Sequence, residues 1–175
     1  MPNTCIVLIF YLSLHRIQSC NDYKVEKNMD ANNVLDYLYR HDIKPSMQRM
    51  AVMSYLMEHR THPTADEIYN ALHTEMPTLS KTTVYNTLKV LTDKGAALQL
   101  TIDEKNCCFD ADVTPHAHFL CTHCGRVYDM ALSNKTLCKD AIIPKNFRVD
   151  EAQLYFRGCC PECAKAEKSL DKTCS

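Results

Sequence analysis

Between Asp30 and Gly95 the apolar residues recur three and four positions apart, and short polar breaks divide them into four helical stretches. The first is predicted near Ala31–His41, with Val34, Leu35 and Leu38 on one face. Pro45 suits the first turn of a second helix, from Met47 to about His59, where Ala51, Val52, Tyr55 and Leu56 keep the helical spacing. Thr64-Ala-Asp-Glu67 has the form of a capping box: the threonine caps, and the glutamate three positions on reaches back. The helix it opens turns Ile68 and Leu72 inward and stops before Pro77. Ser80 is a good N-cap for the fourth, in which Val84, Leu88 and Leu91 fall at i, i+4 and i+7, and Gly95 suits its C′ position.

From Ala96 onward the period shortens to that of strands. The runs Ala96–Ile102 and Cys107–Ala111 flank a turn at Asp103-Glu-Lys-Asn106. Three helices, a break at Thr78-Leu79, a capped helix and these two runs make a winged helix-turn-helix pattern, with that turn as the wing tip. Strands are predicted at His118–Cys121 and Arg126–Met130, a helix near Ser133–Ala141, and a final strand over Phe147–Arg157 with Leu154 and Phe156 on one face. The tail beyond Cys163 is charged, so fraying is expected there. The expected class is α+β. An extension covers residues 1–29, a winged-helix domain 30–111, a small α/β domain 112–165 and a flexible tail 166–175.

Composition narrows the picture. At 175 residues and 46% hydrophobic content the chain can fill one ordinary domain or two small ones, which argues against wholesale disorder. A net charge of −1 gives no hint of a nucleic-acid or membrane partner. Eleven cysteines suggest a secreted disulfide scaffold, but the count is odd and two CxxC pairs stand out, a pattern that fits intracellular metal binding. Cys5–Leu14 is an apolar run of signal-peptide length and too short for a membrane span. No Lys or Arg precedes it and no A-x-A-like cleavage site follows. Residues 1–29 therefore read as an extension, or as a start assigned upstream of Met29, and the rest as cytoplasmic.

The chemistry concentrates in Cys121-Thr-His-Cys124 and Cys160-Pro-Glu-Cys163, separated by 35 residues. A CxxC turn points two sulfurs at one place, and four thiolates meet the tetrahedral demand of a structural zinc ion. Two redox CxxC motifs, or a rubredoxin-type iron site, are the rival readings, although no thioredoxin-like βαβ unit is present. Cys159 adjoins Cys160, and Cys160 is preferred because it keeps the two-residue spacing. The other cysteines (5, 20, 107, 108, 138 and 174) show no pairing logic and read as buried or incidental thiols.

His116 and His118 lie two apart and share one face of a strand. With the carboxylates Asp110 and Asp129 nearby, and His62 reaching in from between the second and third helices, they form a candidate N/O site suited to Fe(II), Mn(II) or Zn(II). The alternative is a pair of surface histidines. In a helix-turn-helix the second helix enters the major groove. Here that helix exposes Lys81, Thr82, Thr83, Tyr85, Asn86 and Lys89, which suit phosphate and base contacts. A merely solvated polar face is the rival, and charge does not reject it: residues 30–100 hold seven Lys and Arg against eight Asp and Glu.

Taken together, five motifs resemble the ferric uptake regulator (Fur) superfamily: Pro45-Ser-Met-Gln48-Arg49, His62-Pro-Thr-Ala-Asp-Glu-Ile-Tyr69, Ser80-Lys-Thr-Thr-Val-Tyr85-Asn-Thr-Leu88, His116-Ala-His118-Phe-Leu-Cys121-Thr-His-Cys124-Gly125 and Cys160-Pro-Glu-Cys163. The resemblance covers about Asp30 to Ala164. It implies a winged-helix DNA-binding domain hinged to a dimerisation domain, acting as a homodimer on palindromic operators. It further implies structural zinc on Cys121, Cys124, Cys160 and Cys163, and a regulatory Fe(II) or Mn(II) site on His62, Asp110, His116, His118 and Asp129. Aspartate at 110 and 129, and Asn86 after Val-Tyr, are similar to the peroxide-sensing (PerR-like) branch, in which His62 and His116 would be the oxidised pair. Iron- or zinc-responsive uptake regulation is the alternative. Pro115 and Ala117 stand where a richer histidine cluster would continue, which argues against a third site. Lys44 replaces the family's usual threonine before the proline, and a weakened helix cap is expected.

Enzyme readings fare worse. A zinc deaminase wants H-x-E before P-C-x-x-C, but the third position is His118. Nucleophile elbows and phosphate loops are absent from a chain with three glycines. A transcriptional repressor, not an enzyme, is the expectation.

Overall fold

The computed structural model describes residues 31–103, 107–132 and 142–171. The extension 1–29, most of the expected wing tip, the expected helix Ser133–Ala141, and Cys5, Cys20, Cys138 and Cys174 lie outside the described residues.

Four helices come first: α1 (Ala31–Arg40), α2 (Met47–Glu58), α3 (Ala65–His73) and α4 (Lys81–Asp93). Their starts follow from local polar chemistry. Ser46 caps α2 by accepting the Arg49 N–H. Pro45 therefore precedes the cap instead of entering the first turn, and the helix does not depend on a threonine at position 44. Thr64 and Glu67 form the reciprocal capping box of α3, and Ser80 accepts the Thr83 N–H to open α4. At the end of α4, Gly95 has φ +67°, and the amides of Gly95 and Ala96 close a Schellman turn on the carbonyls of Thr92 and Leu91. Asp42, at φ +55°, closes α1 in the same way, with Ile43 N–H on the Leu38 carbonyl.

The helices pack around Val34, Leu38, Ile43, Val52, Met53, Leu56, Ile68, Val84, Leu88 and Leu91, all nearly solvent-free. On α2 the buried face is Val52, Met53 and Leu56, while Ala51 and Tyr55 stay half-buried, as does Leu35 on α1. The core turns α2 slightly relative to the spacing that the sequence suggests. The Tyr37 hydroxyl donates to the Ala96 carbonyl at 2.9 Å and fastens α1 to the end of α4. The winged helix-turn-helix is completed by β1 (Leu98–Leu100) and β2 (Cys108–Asp110), paired antiparallel with Leu98 opposite Asp110.

A second, three-stranded sheet follows, in the order β4-β3-β5: β3 (Ala117–Cys121), β4 (Val127–Met130) and β5 (Tyr155–Gly158). β3 pairs antiparallel with β4 and parallel with β5. The expected strand Phe147–Arg157 is thus confined to Tyr155–Gly158; only there does β3 offer a backbone edge to pair with. Leu154 and Phe156 are both left exposed. The tail also departs from expectation. Pro161–Asp171 forms α5, begun by proline in its first position.

The two halves touch through the wing. Leu100, Ile102 and Cys108 pack with Leu98, Leu120, Val127 and Tyr155 in a second apolar cluster. Gln153, Tyr155 and Arg157, alternate residues along and just before β5, each bond a backbone group of the wing: Gln99 O, Thr101 N and Ile102 O, at 3.0, 3.1 and 2.6 Å.

Candidate metal centres

The four cysteines of the two CxxC pairs come together at the lower end of β3. Cys121 is its last residue, and Cys124 lies in the turn to β4. Gly125, at φ +73°, lets that turn fold back so that its N–H reaches the Cys121 carbonyl at 2.9 Å. Parallel pairing sets Gly158 beside Cys121 and carries Cys160 and then Cys163, in the first turn of α5, to the same place. One sulfur from each residue lies within 4.8 Å of the others, and Cys124 Sγ is 3.9 Å from Cys160 Sγ. Thiolates about 2.3 Å from a tetrahedral zinc stand about 3.8 Å apart, so the set fits that ion. Burial pushes the Cys121 thiol up, but the amides of Cys124, Cys160 and His123 aimed at its sulfur outweigh this and hold it at about 6. Cys163, hydrogen-bonded to Cys160, is pushed above the ordinary thiol range. Cys159 points elsewhere, its thiol meeting the Cys160 carbonyl at 3.5 Å.

The second cluster sits at the other end of β3. His118 and Asp129 are cross-strand partners of β3 and β4, and His116 precedes His118 by one strand repeat. From the N-terminal half, Asp110 ends β2, and His62 enters just before α3. The Phe109 N–H bonds the Pro63 carbonyl, and Thr64 bridges Cys108, so this stretch runs beside β2 and brings His62 to Asp110. His62 adopts φ +55°, a left-handed conformation uncommon for a side-chain-bearing residue, and its ring is turned into the cluster.

Each of the five residues offers one donor atom within 4.8 Å of the others. His62 Nε2 is 2.7 Å from Asp129 Oδ1, and His116 Nε2 is 3.1 Å from Asp110 Oδ2, 3.3 Å from Asp129 Oδ1 and 2.9 Å from His118 Nε2. Nitrogen and oxygen ligands at roughly 2.0–2.2 Å from one ion lie about 3 to 3.5 Å from each other, so the donors have the spacing of a single coordination shell. His62, Asp110 and His118 are buried, at 5%, 4% and 3% exposure. The Asp129 side chain, at 42%, keeps a path to solvent. The Thr114 carbonyl accepts from His116 Nδ1 at 2.7 Å, which fixes the tautomer that turns the Nε2 lone pair inward. Among the described residues, buried His62 Nδ1 has no hydrogen-bond partner.

Electrostatics couple these groups. Hydrogen bonds to Asp110 and Asp129 push the His116 imidazole up to about 10. Burial raises the Asp110 carboxyl, but hydrogen bonds from His116, His118 and the Asp112 amide outweigh it and hold it at about 2. Asp129 is driven below the carboxylate range by His116 and His62, against its own burial.

The six residues singled out for DNA lie on α4. Lys81, Thr82, Tyr85, Asn86 and Lys89 are exposed, whereas Thr83 is half-buried with its hydroxyl 2.8 Å from the capping Ser80. Sequence reasoning missed three things: the Thr114 carbonyl behind His116, the contacts of Gln153, Tyr155 and Arg157 with the wing, and the carboxylates beside Lys81 and Lys89. Backbone carbonyls leave no mark in a sequence. The alternation of 153, 155 and 157 was the one available signal.

The profile of the ferric uptake regulator family matches residues 40–157. The chain is 32% identical over 139 residues to the peroxide operon regulator of Bacillus subtilis, covering 79% of this chain and 96% of that one. It is 35% identical over 122 residues to the peroxide-responsive repressor PerR of Staphylococcus aureus, covering 69% and 82%. Among solved structures it is similar in fold to the Helicobacter pylori ferric uptake regulator, with a TM-score of 0.60 at 20% identity, covering 80% of this chain and 97% of that one.

Two outcomes are expected. Cys121→Ser removes a buried sulfur that two other elements converge on, so the protein should lose tightly held zinc and the ordered C-terminal sheet; elemental analysis with circular dichroism checks this, and a zinc-loaded, folded variant contradicts it. The pH response has a definite sign. In the metal-free protein the raised His116 contributes stability that is complete below 6.5 and lost as pH rises towards about 10. The lowered Asp110 contributes stability present above 3.8 and lost as pH falls towards about 2. A metal ion must displace the His116 proton, so Mn(II) affinity should rise about tenfold per pH unit through neutrality. Calorimetry in buffers of different ionisation enthalpy reads the released proton, and pH-independent binding contradicts it.

Proposed function

The chain belongs to the ferric uptake regulator family, and on that premise we propose that it is a metal-dependent DNA-binding repressor that senses peroxide. Membership puts it among regulators, not enzymes. The observation that carries the reading is the convergence of His62 and Asp110, from the winged-helix half, with His116, His118 and Asp129, from the C-terminal sheet. A cation held by donors from both halves favours one angle between them, and a ligand shifts an equilibrium only through such differential contacts. The four cysteines serve a different end. They hold a closed zinc site that keeps the C-terminal sheet in shape.

Repression follows from geometry. Two recognition helices, one from each copy of a homodimer, read the half-sites of a palindromic operator only when their separation matches the helical repeat of DNA. Exposed Phe147, Val149, Leu154 and Phe156, beside the open edge of β5, provide an apolar face for the second copy. Lys81, Thr82, Thr83, Tyr85, Asn86 and Lys89 are the residues of α4 assigned to the groove. Among the described residues no helix is long and apolar enough to cross a membrane, and the partner proposed is duplex DNA.

The peroxide reading rests on the aspartates at 110 and 129 and on the identity to the two peroxide regulators. His62, Asp110, His116, His118 and Asp129 would hold Fe(II), which would supply the reducing electron for cleavage of the peroxide O–O bond. The chain holds the His116 and His62 rings at the centre of the cluster, keeps His116 in one tautomer through Thr114, and admits small solutes past Asp129. Mn(II) at the same donors would bind without supplying that electron and would leave the histidines unoxidised.

Two measurements test this. Asp129→Ala should keep zinc and fold yet lose metal-activated operator binding by on the order of tenfold or more; wild-type metal response refutes the gating role. Iron-loaded protein exposed to peroxide should gain one oxygen on His116 or His62 by peptide mass spectrometry, and manganese-loaded protein should not. Oxidation confined to cysteines moves the assignment to iron- or zinc-responsive uptake control.

A further inference from the structure

The recognition helix carries less positive charge than its lysines suggest. Lys81 Nζ lies 3.0 Å from Asp66 Oδ1, on α3, and 5.5 Å above the ring of Tyr69. Lys89 Nζ lies 3.1 Å from Asp93 Oδ2, one turn on. Both carboxylates line a groove of about 450 Å³ together with Tyr85, Asn86 and Lys89, so they face the surface assigned to DNA. Asp93 closes α4 at the negative end of the helix dipole, where a carboxylate is unfavourable. The exposed i,i+4 pair with Lys89 stabilises the helix only slightly, so stability of α4 is a weak reason for an acid at that place. The domain as a whole agrees: its basic and acidic residues nearly cancel.

Duplex DNA attracts proteins chiefly through phosphate contacts that release counterions, and that attraction is blind to sequence. A lysine already paired to a carboxylate releases fewer counterions, and the carboxylate itself is repelled by the phosphates. We propose that Asp66 and Asp93 are specificity-determining residues: by occupying Lys81 and Lys89 they suppress sequence-independent DNA binding, leaving affinity to base contacts made by two copies docked together. This rests on the reading of α4 as the groove-entering helix. It gives the metal switch a low background, because a winged-helix domain without spare positive charge does not cling to DNA when its spacing is wrong.

The test uses the full-length, zinc-containing protein without added regulatory metal, and a labelled duplex of random sequence as probe. Asp66→Asn, Asp93→Asn and the double variant are compared with wild type by fluorescence anisotropy over a range of salt. Asp150→Asn is the control, since it also raises net charge by one and also releases an arginine, Arg148, but on the C-terminal half. Each recognition-side variant should bind several-fold tighter at low salt and the double variant on the order of tenfold, with the slope of log affinity against log salt steeper by about 0.9 for each lysine released. Asp150→Asn should match wild type. Unchanged affinity and slope in the double variant overturns the proposal, as does an equal gain from Asp150→Asn. A lowered melting temperature in Asp66→Asn without tighter binding assigns that residue to the dipole of α3 instead. If neither wild type nor the double variant binds duplex, and Mn(II) does not induce binding, the DNA reading itself fails. Binding by wild type without a change in the variants sinks only the role of the two aspartates.

Discussion

Five lone-pair donors held within 4.8 Å of one another need a positive charge among them, and that need ties His62 and Asp110 of the winged-helix half to the C-terminal sheet. Without metal the charge is a proton, held on His116 by two carboxylates until the solution is well above neutral. With metal it is the ion. Protons and cations thus compete for one place, and the place exists only while the winged helix and the C-terminal sheet are together. The same crowding explains why Asp110 is deeply buried yet stays ionised: His116 is its counterion.

Strand β3 organises both centres. Its first half carries His118 beside the nitrogen and oxygen donors, and its last residue is Cys121. The four sulfurs lock the far end of the strand to β5 and α5, so the near end presents His116 and His118 from a fixed platform. The other side of the cluster comes from the winged-helix half. His62 arrives in a left-handed conformation, its Nδ1 without a partner among the described residues, and Asp110 ends a wing strand only three residues long. Donors drawn from both halves suit a centre that reports occupancy by changing the angle between them.

Much of this was legible in the chain because the signals are local. The caps at Ser80 and Thr64, Gly95 after α4 and the alternation of His116 and His118 each express a rule spanning four residues or fewer, and the doubled CxxC names its own chemistry. Long-range pairing was not legible. Nothing near Phe147 says that pairing with β3 begins only at Tyr155, or that Arg157 will reach the carbonyl of Ile102, 55 residues away. The ion pair of Asp66 with Lys81 joins residues fifteen apart on different helices, so a count of charges sees neutrality without seeing its arrangement. The helix after Cys163 was masked by its own charge, since composition at a chain end reads as fraying while Pro161 and the cysteine pair anchor the first turn.

The parallel pairing of β3 with β5 has a consequence for how the protein is made. A hairpin such as β3–β4 closes over a few residues, and Cys121 and Cys124 come into register as soon as it forms. Cys160 and Cys163 join only after a loop of 35 residues closes, at an entropic cost of about 3 kcal/mol. Synthesis therefore delivers a helical N-terminal half that can fold on its own local contacts, then half a metal site, then the rest. A zinc ion taken up by the first two sulfurs would wait for the other two, and maturation of the C-terminal sheet would become a race between loop closure and loss of that ion. Under the proposed zinc site, zinc supply during translation, not only afterwards, would set how much of the chain reaches its finished form.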